Sequence, residues 1–217
     1  EPLPHPVKRP RPHILRVGVT GGIGSGKTLV CRELRRKGVP VLSADRIAKH
    51  LSTSDPVLNR RLRSLLGPRA FTSSGRLNRR TVARLLFSDP VLQKSMNRLI
   101  HPRVEKEIAR RFGKLAEAGF LVGVVEAALI FEAGLHRRLD FVILVDATRE
   151  KRIRRVVRRD GLRRSDVHRR MRAQWGSGRK RTLAHLILEN NTTPASLRKK
   201  VRFLHSLLMM LARKEIP

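Results

Sequence analysis

Acids, aromatics and sulfur are what this chain has little of. Of its 217 residues, 17 are Asp or Glu against 49 Lys or Arg; one is Cys, none is Tyr, and aromatics make up 4%. With Cys31 alone, neither a disulfide framework nor a cysteine-based metal site can form within one chain, and a reducing compartment is expected. No His or cluster of catalytic type adjoins Cys31 in sequence, so it reads as a small buried residue in preference to a reactive thiol. No apolar run approaches the roughly 20 residues of a membrane span, and the N-terminal residues lack the apolar centre of a signal peptide. A cytoplasmic protein with no membrane partner is expected. The formal charge of +32 would draw nucleic acid, acidic surfaces or polyanionic small molecules, and it does not bear on fold. Stacking platforms for single strands are scarce, so nucleic-acid binding is expected to be non-specific at most, and an enzyme for phosphate-rich substrates is the preferred reading.

The length suits one α/β unit with one core and a small appended lobe. Residues 1–13 hold Pro2, Pro4, Pro6, Pro10 and Pro12 among Lys8, Arg9 and Arg11, a composition that cannot pack and reads as an extended tail. Residues 14–217 form the folded unit.

The stretch Gly21-Gly22-Ile23-Gly24-Ser25-Gly26-Lys27-Thr28 fits G-x-x-x-x-G-K-[ST], a phosphate-binding P-loop. Glycines are needed because side chains would keep the backbone N–H groups from wrapping a polyphosphate. Lys27 supplies a point charge to the outer phosphates. The Thr28 hydroxyl, at a helix start, can hold Mg²⁺ beside the partial positive charge of that helix end. The context agrees: 14–19 is an apolar run of buried-strand type, and 29–37 has helical spacing ended by Gly38.

A second strand is expected at 39–43, completing a right-handed βαβ unit. Asp45 follows at the same sheet edge as the P-loop, and spacing leaves two roles open: chemistry on a phosphate acceptor, or N-cap of the next helix. From 55 to 118 only helical patterns occur, and this insertion reads as an acceptor-binding lobe. Within it His101-Pro102 is expected to begin a helix, with His101 a hydrogen-bonded structural residue on spacing alone. A third strand at 120–125 leads to Glu126, placed to receive a Mg²⁺-bound water; a fourth spans 141–145 and a fifth 186–188. The sheet should be mostly parallel, five-stranded and flanked by helices. Between 149 and 181 stand fifteen Lys or Arg against Glu150, Asp160 and Asp166. This run is either a solvated face or a helical lid, with Arg155 and Arg159 on one helix face able to point into the site and Gly176-Ser177-Gly178 giving slack.

Taken together, the motifs resemble the dephospho-coenzyme A kinase family over nearly the whole chain after the tail. They are the P-loop with its strand, Val17 to Thr28; Ala44-Asp45 with Ile47-Ala48; Gly75-Arg76-Leu77-Asn78-Arg79 followed by Phe87; and Leu99 to Val104. Leu129-Ile130-Phe131-Glu132, Arg155, Arg159-Asp160, Arg170, Ala173-Gln174, Lys180 and Ile187 to Asn190 complete the series. The resemblance implies transfer of the γ-phosphoryl group of ATP to the ribose 3′-hydroxyl of dephospho-CoA, the last step of coenzyme A synthesis, with Mg²⁺. By position it implies ATP binding by Gly22, Ile23, Gly24, Ser25, Gly26, Lys27, Thr28 and Leu29, with Asn190 near the adenine and Thr28 on the metal. Asp45 would be the base, Arg155 and Arg159 would belong to the lid, and Arg79 and His101 would serve the acceptor. Ser43, Leu29, Ala128 and His185 depart from the family's pattern, which often has Asp, Thr, Pro and Asp there; the loss of an acid at His185 is expected to leave the basic lid less neutralised. Two other readings are a kinase of another small metabolite, nucleoside monophosphates above all, and a P-loop protein that binds nucleic acid.

The charge yields a first prediction. Affinity for a mixed RNA pool should fall steeply with added salt and largely vanish near physiological ionic strength, because counterion release dominates such binding. A sequence-selective complex surviving there, seen by gel shift, would argue for the nucleic-acid reading.

Overall fold

The computed structural model describes residues 13–214, apart from the side chains of Arg79, Phe87 and Lys214. The Pro-rich tail, His13 excepted, lies outside the described residues. Five strands, β1 (Leu15–Thr20), β2 (Val41–Ser43), β3 (Val122–Glu126), β4 (Phe141–Asp146) and β5 (Leu186–Glu189), form one parallel sheet in the order β2-β3-β1-β4-β5. The expected five-stranded parallel sheet is therefore present. β2 and β3 start later than their apolar runs do: Phe120 is exposed, and β2 pairs only from Val41.

The chain leaves β1 toward β2 on one side and later returns to β4 on the other. The C-terminal end of β1 is thus the crevice where strand order reverses, the place where open α/β sheets bind ligands. Side chains alternate across β1 and β3. Leu15, Val17, Val19, Val122 and Val124 join α1 (Lys27–Arg36) and α9 (Pro194–Lys214) in one core, while Val125 and Val142 face α5 (Pro90–Glu117) in another.

That second core continues into the helices α2 (Ala44–Ser54), α3 (Pro56–Leu66), α4 (Arg79–Ser88) and α5. Here the expectation of a helix beginning at His101-Pro102 is corrected, since both residues lie inside the 28-residue α5. Pro102 removes the donor that would serve the Arg98 carbonyl. The helix nonetheless runs on because Met96, Ile100, Val104, Ile108, Phe112 and Ala116 form one buried stripe at a spacing of four through it. Tertiary burial over five turns outweighs one lost hydrogen bond.

At the start of β4, Asp140 accepts from the Arg16 backbone N–H (2.7 Å), Nε (3.0 Å) and Nη2 (2.5 Å). Burial alone would raise its pKa, but these bonds outweigh it and hold the carboxyl below the ordinary 3.8. With the folded value the lower one, the bonds stabilise the protein above the unfolded pKa, and that contribution is lost as pH falls through the folded value. Asp140→Asn should cost about 1 kcal/mol in urea titrations near pH 6, since the pair is partly solvated. Its deficit relative to wild type should shrink as pH falls through the folded value, and a constant deficit would show that ionisation is not the cause.

Candidate active site

The P-loop is shaped by backbone that side chains could not follow. Gly21, Gly24 and Gly26 have φ of 152°, 78° and 103°. A Cβ at Gly21 would lie 2.2 Å from the Val145 carbonyl oxygen, and one at Gly24 would lie 2.4 Å from that of Arg152. Gly26 is the N-cap of α1; no side chain caps this helix, and no acid stands in its first turn. Its N–H groups and dipole are left for an anion.

Glu126, the last residue of β3, accepts from Thr28 Oγ1 at 3.1 Å. Burial lowers the pKa of Lys27, while the carboxylates of Glu126 and then Asp45 act against it. Lys27, Glu126 and Asp45 thus form one electrostatic cluster at the crevice. Cys31 is fully buried, and burial followed by the Glu126 carboxylate pushes its thiol far up, so it stays protonated and unreactive.

Asp45 stands in the first turn of α2, where the Ser43 hydroxyl caps the helix by accepting from the Arg46 N–H at 3.4 Å. The N-cap role left open for Asp45 is therefore taken by Ser43. Asp45 instead lines a cavity of about 210 Å³ with Ala48, His101, Ala127 and Leu129. Burial lowers the His101 pKa, so the imidazole is neutral at pH 7. Arg79 opens α4, and its side chain lies outside the described residues.

The basic run folds as α6 (Arg149–Asp160), α7 (Arg164–Arg172) and the short α8 (Ser177–Arg181). Ile153, Val156 and Val167 make a small core of their own, against which the Ile23 side chain packs. Both backbone groups of Ile23 are held from the same side: its N–H donates to Gln174 Oε1 and its carbonyl accepts from Arg152 Nε, each at 3.0 Å. Arg155 donates through Nη2 to the Asn190 carbonyl (2.9 Å), while its Nη1 is buried without a partner. Arg159 and Arg155 do not converge; Arg159 is exposed and pairs with Asp160 at 2.7 Å. Gly176-Ser177-Gly178 is not slack either, because Ser177 Oγ donates to Asp146 Oδ2 at 2.6 Å and Arg181 reaches the same oxygen at 2.9 Å. The Asn190 side chain is buried under the P-loop, donating to the Ser25 carbonyl at 2.8 Å.

Lys180 is 1% exposed and reaches polar partners on two sides. Its Nζ donates to the Ala128 carbonyl at 3.0 Å and pairs with Glu132 Oε1 at 2.7 Å, and Glu132 also accepts the Trp175 N–H at 3.0 Å. Residue-by-residue reading assigned no role to Arg152, Gln174, Glu132 or Lys180. The last three do stand in the motifs that carry the family resemblance, which was the available signal; Arg152 is one arginine among many.

A parallel sheet with a P-loop at its switch point, a carboxylate against the loop's Thr and helices packed over the loop defines the P-loop kinase class. Over residues 15–196 the sequence matches the family model of dephospho-CoA kinase. The dephospho-CoA kinase of Chlorobaculum tepidum is 39% identical over 199 residues, 90% of this chain and 95% of that one. That of Chlorobium chlorochromatii is 36% identical over 202 residues, 91% and 95% of the two chains. A crystal structure from Thermus thermophilus, 36% identical, matches with a TM-score of 0.77 over 90% of this chain and 98% of that one. The chain belongs to the dephospho-CoA kinase family.

Lys180→Met would leave the Glu132 carboxyl without its cation at a largely buried site. It should destabilise the protein by about 3–5 kcal/mol, and adding Glu132→Gln should restore part of that. Equal melting temperatures for wild type and Lys180→Met would show that the pair contributes nothing to the fold.

Proposed function

We propose that this chain catalyses the ATP-dependent phosphorylation of the 3′-hydroxyl of dephospho-CoA, giving coenzyme A and ADP, as the final step of coenzyme A biosynthesis in the cytoplasm. The observation that carries this reading is the shared electrostatic site of Lys27 and Asp45, with the P-loop on one side and the cavity that Asp45 lines on the other. The glycine-rich backbone from Gly22 to Leu29 wraps the phosphates of ATP, and Lys27 meets the outer ones. Thr28 Oγ1 and Glu126 Oε1 are hard oxygen donors 3.1 Å apart, and among the described residues no three His, Cys or acids gather into a metal cage. This donor set fits Mg²⁺, which is held by few protein oxygens together with phosphates and water; Thr28 would hold it directly and Glu126 through water. Bound there, Mg²⁺ supplies neutralisation of charge on the outer phosphates.

Asp45 orients the 3′-hydroxyl and takes its proton. The loose transition state of phosphoryl transfer asks mainly for positioning, charge neutralisation and a destination for that proton. Residues 55–118 form the acceptor lobe, in which His101 and Arg79 serve binding, and 149–181 form the lid. Arg155 is the lid arginine: its buried, unpartnered Nη1 beside the Asn190 carbonyl leaves one donor for charge that develops during transfer. Asn190 supports the ATP site from beneath, through the Ser25 carbonyl. Arg159, turned toward Asp160, comes to the site only when the lid moves.

Asp45→Asn keeps the side chain's shape and cannot take a proton. Turnover should fall by roughly 10² to 10⁴ with ATP affinity nearly unchanged. The melting temperature should change little, because Ser43 caps the helix. Near-wild-type kcat with dephospho-CoA would remove Asp45 from the mechanism.

A further inference from the structure

Six large apolar side chains of the described residues are exposed, and two of them, Phe203 (71%) and Met210 (48%), stand on α9. With about 3.6 residues per turn, a step from 203 to 210 returns to the same face of a helix, and the half-buried Leu207 falls between them. The opposite face is Leu197, Val201, Leu204, Leu208 and Ala212, all buried in the core that α9 shares with β1 and β3. α9 thus carries two apolar stripes, of which packing in the fold uses one.

The outer stripe is bordered by cations, Lys199, Arg202 and Arg213 on one side and Lys200 on the other, all exposed. Lys200 Nζ donates to the Glu189 carbonyl at 2.7 Å. Among the described residues no carboxylate pairs with Lys199, Arg202 or Arg213, and the stretch Pro194–Lys214 contains no Asp or Glu. On the Arg202 side α1 packs against α9 through Val30, Cys31 and Leu34, and it extends the basic border with Arg32, Arg36 and the following Lys37. One acid answers them: Glu33 meets Arg32, Arg36 and Arg198 at 3.9, 3.0 and 3.8 Å.

We propose that this face of α9 docks the protein on an anionic phospholipid bilayer, with Phe203, Leu207 and Met210 entering the acyl boundary and the cations meeting headgroup phosphates. An apolar stripe flanked by Lys and Arg is the arrangement by which helices lie in a membrane interface. The expectation of no membrane partner came from the lack of a span. Among the described residues no helix is long and apolar enough to cross a bilayer, and a surface contact needs none. A second copy of the chain fits the face less well. Pairing it with itself sets cation against cation, and three side chains fall far short of the roughly 800 Å² each partner gives a stable interface. Nucleic acid would meet the cations, but stacking on bases needs successive aromatic side chains, and here Phe203 is followed by Leu207 and Met210. Docking leaves the crevice free, because α9 and the helices that hold the cavity at Asp45 pack on opposite faces of the sheet. The inference stands apart from the function proposed above.

The test is co-sedimentation of the full chain with vesicles of phosphatidylcholine, alone or with about one-third phosphatidylglycerol. We expect wild type to bind the mixed vesicles and not the neutral ones. Phe203→Ser combined with Met210→Ser keeps every charge and touches no core residue. It should lower partition into the mixed vesicles by about tenfold or more, with melting temperature and kcat as in wild type. Undiminished binding by the double variant would show adsorption by charge alone and overturn the proposal, as would a wild type that ignores the mixed vesicles. A stripe serving nucleic acid or a second copy would show as loss of RNA affinity, or of a dimer on sizing, with vesicle binding unchanged, and would overturn it equally. Should the double variant melt early, Phe203→Trp decides. Mixed vesicles should shift its added emission to the blue and bind it more tightly than wild type, and an unshifted spectrum sinks the assignment.

Discussion

Everything at the site depends on one stretch of backbone from which side chains are excluded. Between β1 and α1 the chain turns back on itself so tightly that the Gly21 position lies 2.2 Å, Cβ to oxygen, from the end of β4, and the Gly24 position comes as close to the backbone of α6. Such approach is possible only where no Cβ exists, and it makes the P-loop a surface onto which other elements close. β4 supports it from behind, Asn190 at the end of β5 holds the Ser25 carbonyl, and Arg152 lies over Gly22. Within the loop the Ser25 N–H bonds to the Gly22 carbonyl at 3.1 Å, and the rest of its shape is kept by contacts on its outer side.

Ile23 is the residue at which those contacts concentrate. Its side chain belongs to the small core of the lid, and both its backbone polar groups are held by lid residues. The tip of the P-loop is therefore fastened to α6 and to Gln174 beyond α7. On the opposite side, the Lys180–Glu132 pair joins α8 to the turn after β3, and that turn supplies Ala127 and Leu129 to the wall of the cavity at Asp45. The P-loop and the cavity at Asp45 are thus tied to the same helical segment by polar contacts. Such contacts have discrete arrangements and do not stretch continuously.

Much of the fold was legible because its signals are local. The P-loop, the helix after it and the apolar runs of the parallel sheet are each decided within a few residues, and Glu126 follows from being last in its run. What was not legible depends on partners distant in the chain. Pro102 reads as a boundary until one sees that the buried stripe of α5 passes through it. Gly176-Ser177-Gly178 reads as slack until Ser177 meets Asp146. Within a run of arginines, the three-residue step from Arg152 to Arg155 decides which guanidinium lies on the P-loop and which reaches Asn190. That phase is set by Ile153 and Val156 turning inward, not by any property of the arginines.

The departure at His185 can be argued the same way. A carboxylate lost from a basic neighbourhood suggests missing neutralisation. The imidazole, however, is not facing the lid's charge: it stacks on Phe141 with ring centroids 5.3 Å apart, and its Nδ1 accepts the Val142 N–H at 3.0 Å, at the start of β4. What the position requires is an acceptor for a strand-end donor, and a neutral imidazole protonated on Nε2 supplies one as a carboxylate would. The neutralising work is done elsewhere, by Asp146, which takes Arg181 and Ser177 together at the end of the same strand. A chain of formal charge +32 can therefore hold a dense basic lid with few acids. Of the acids around the P-loop, Glu126, Glu132 and Asp146 are each bonded to a specific donor.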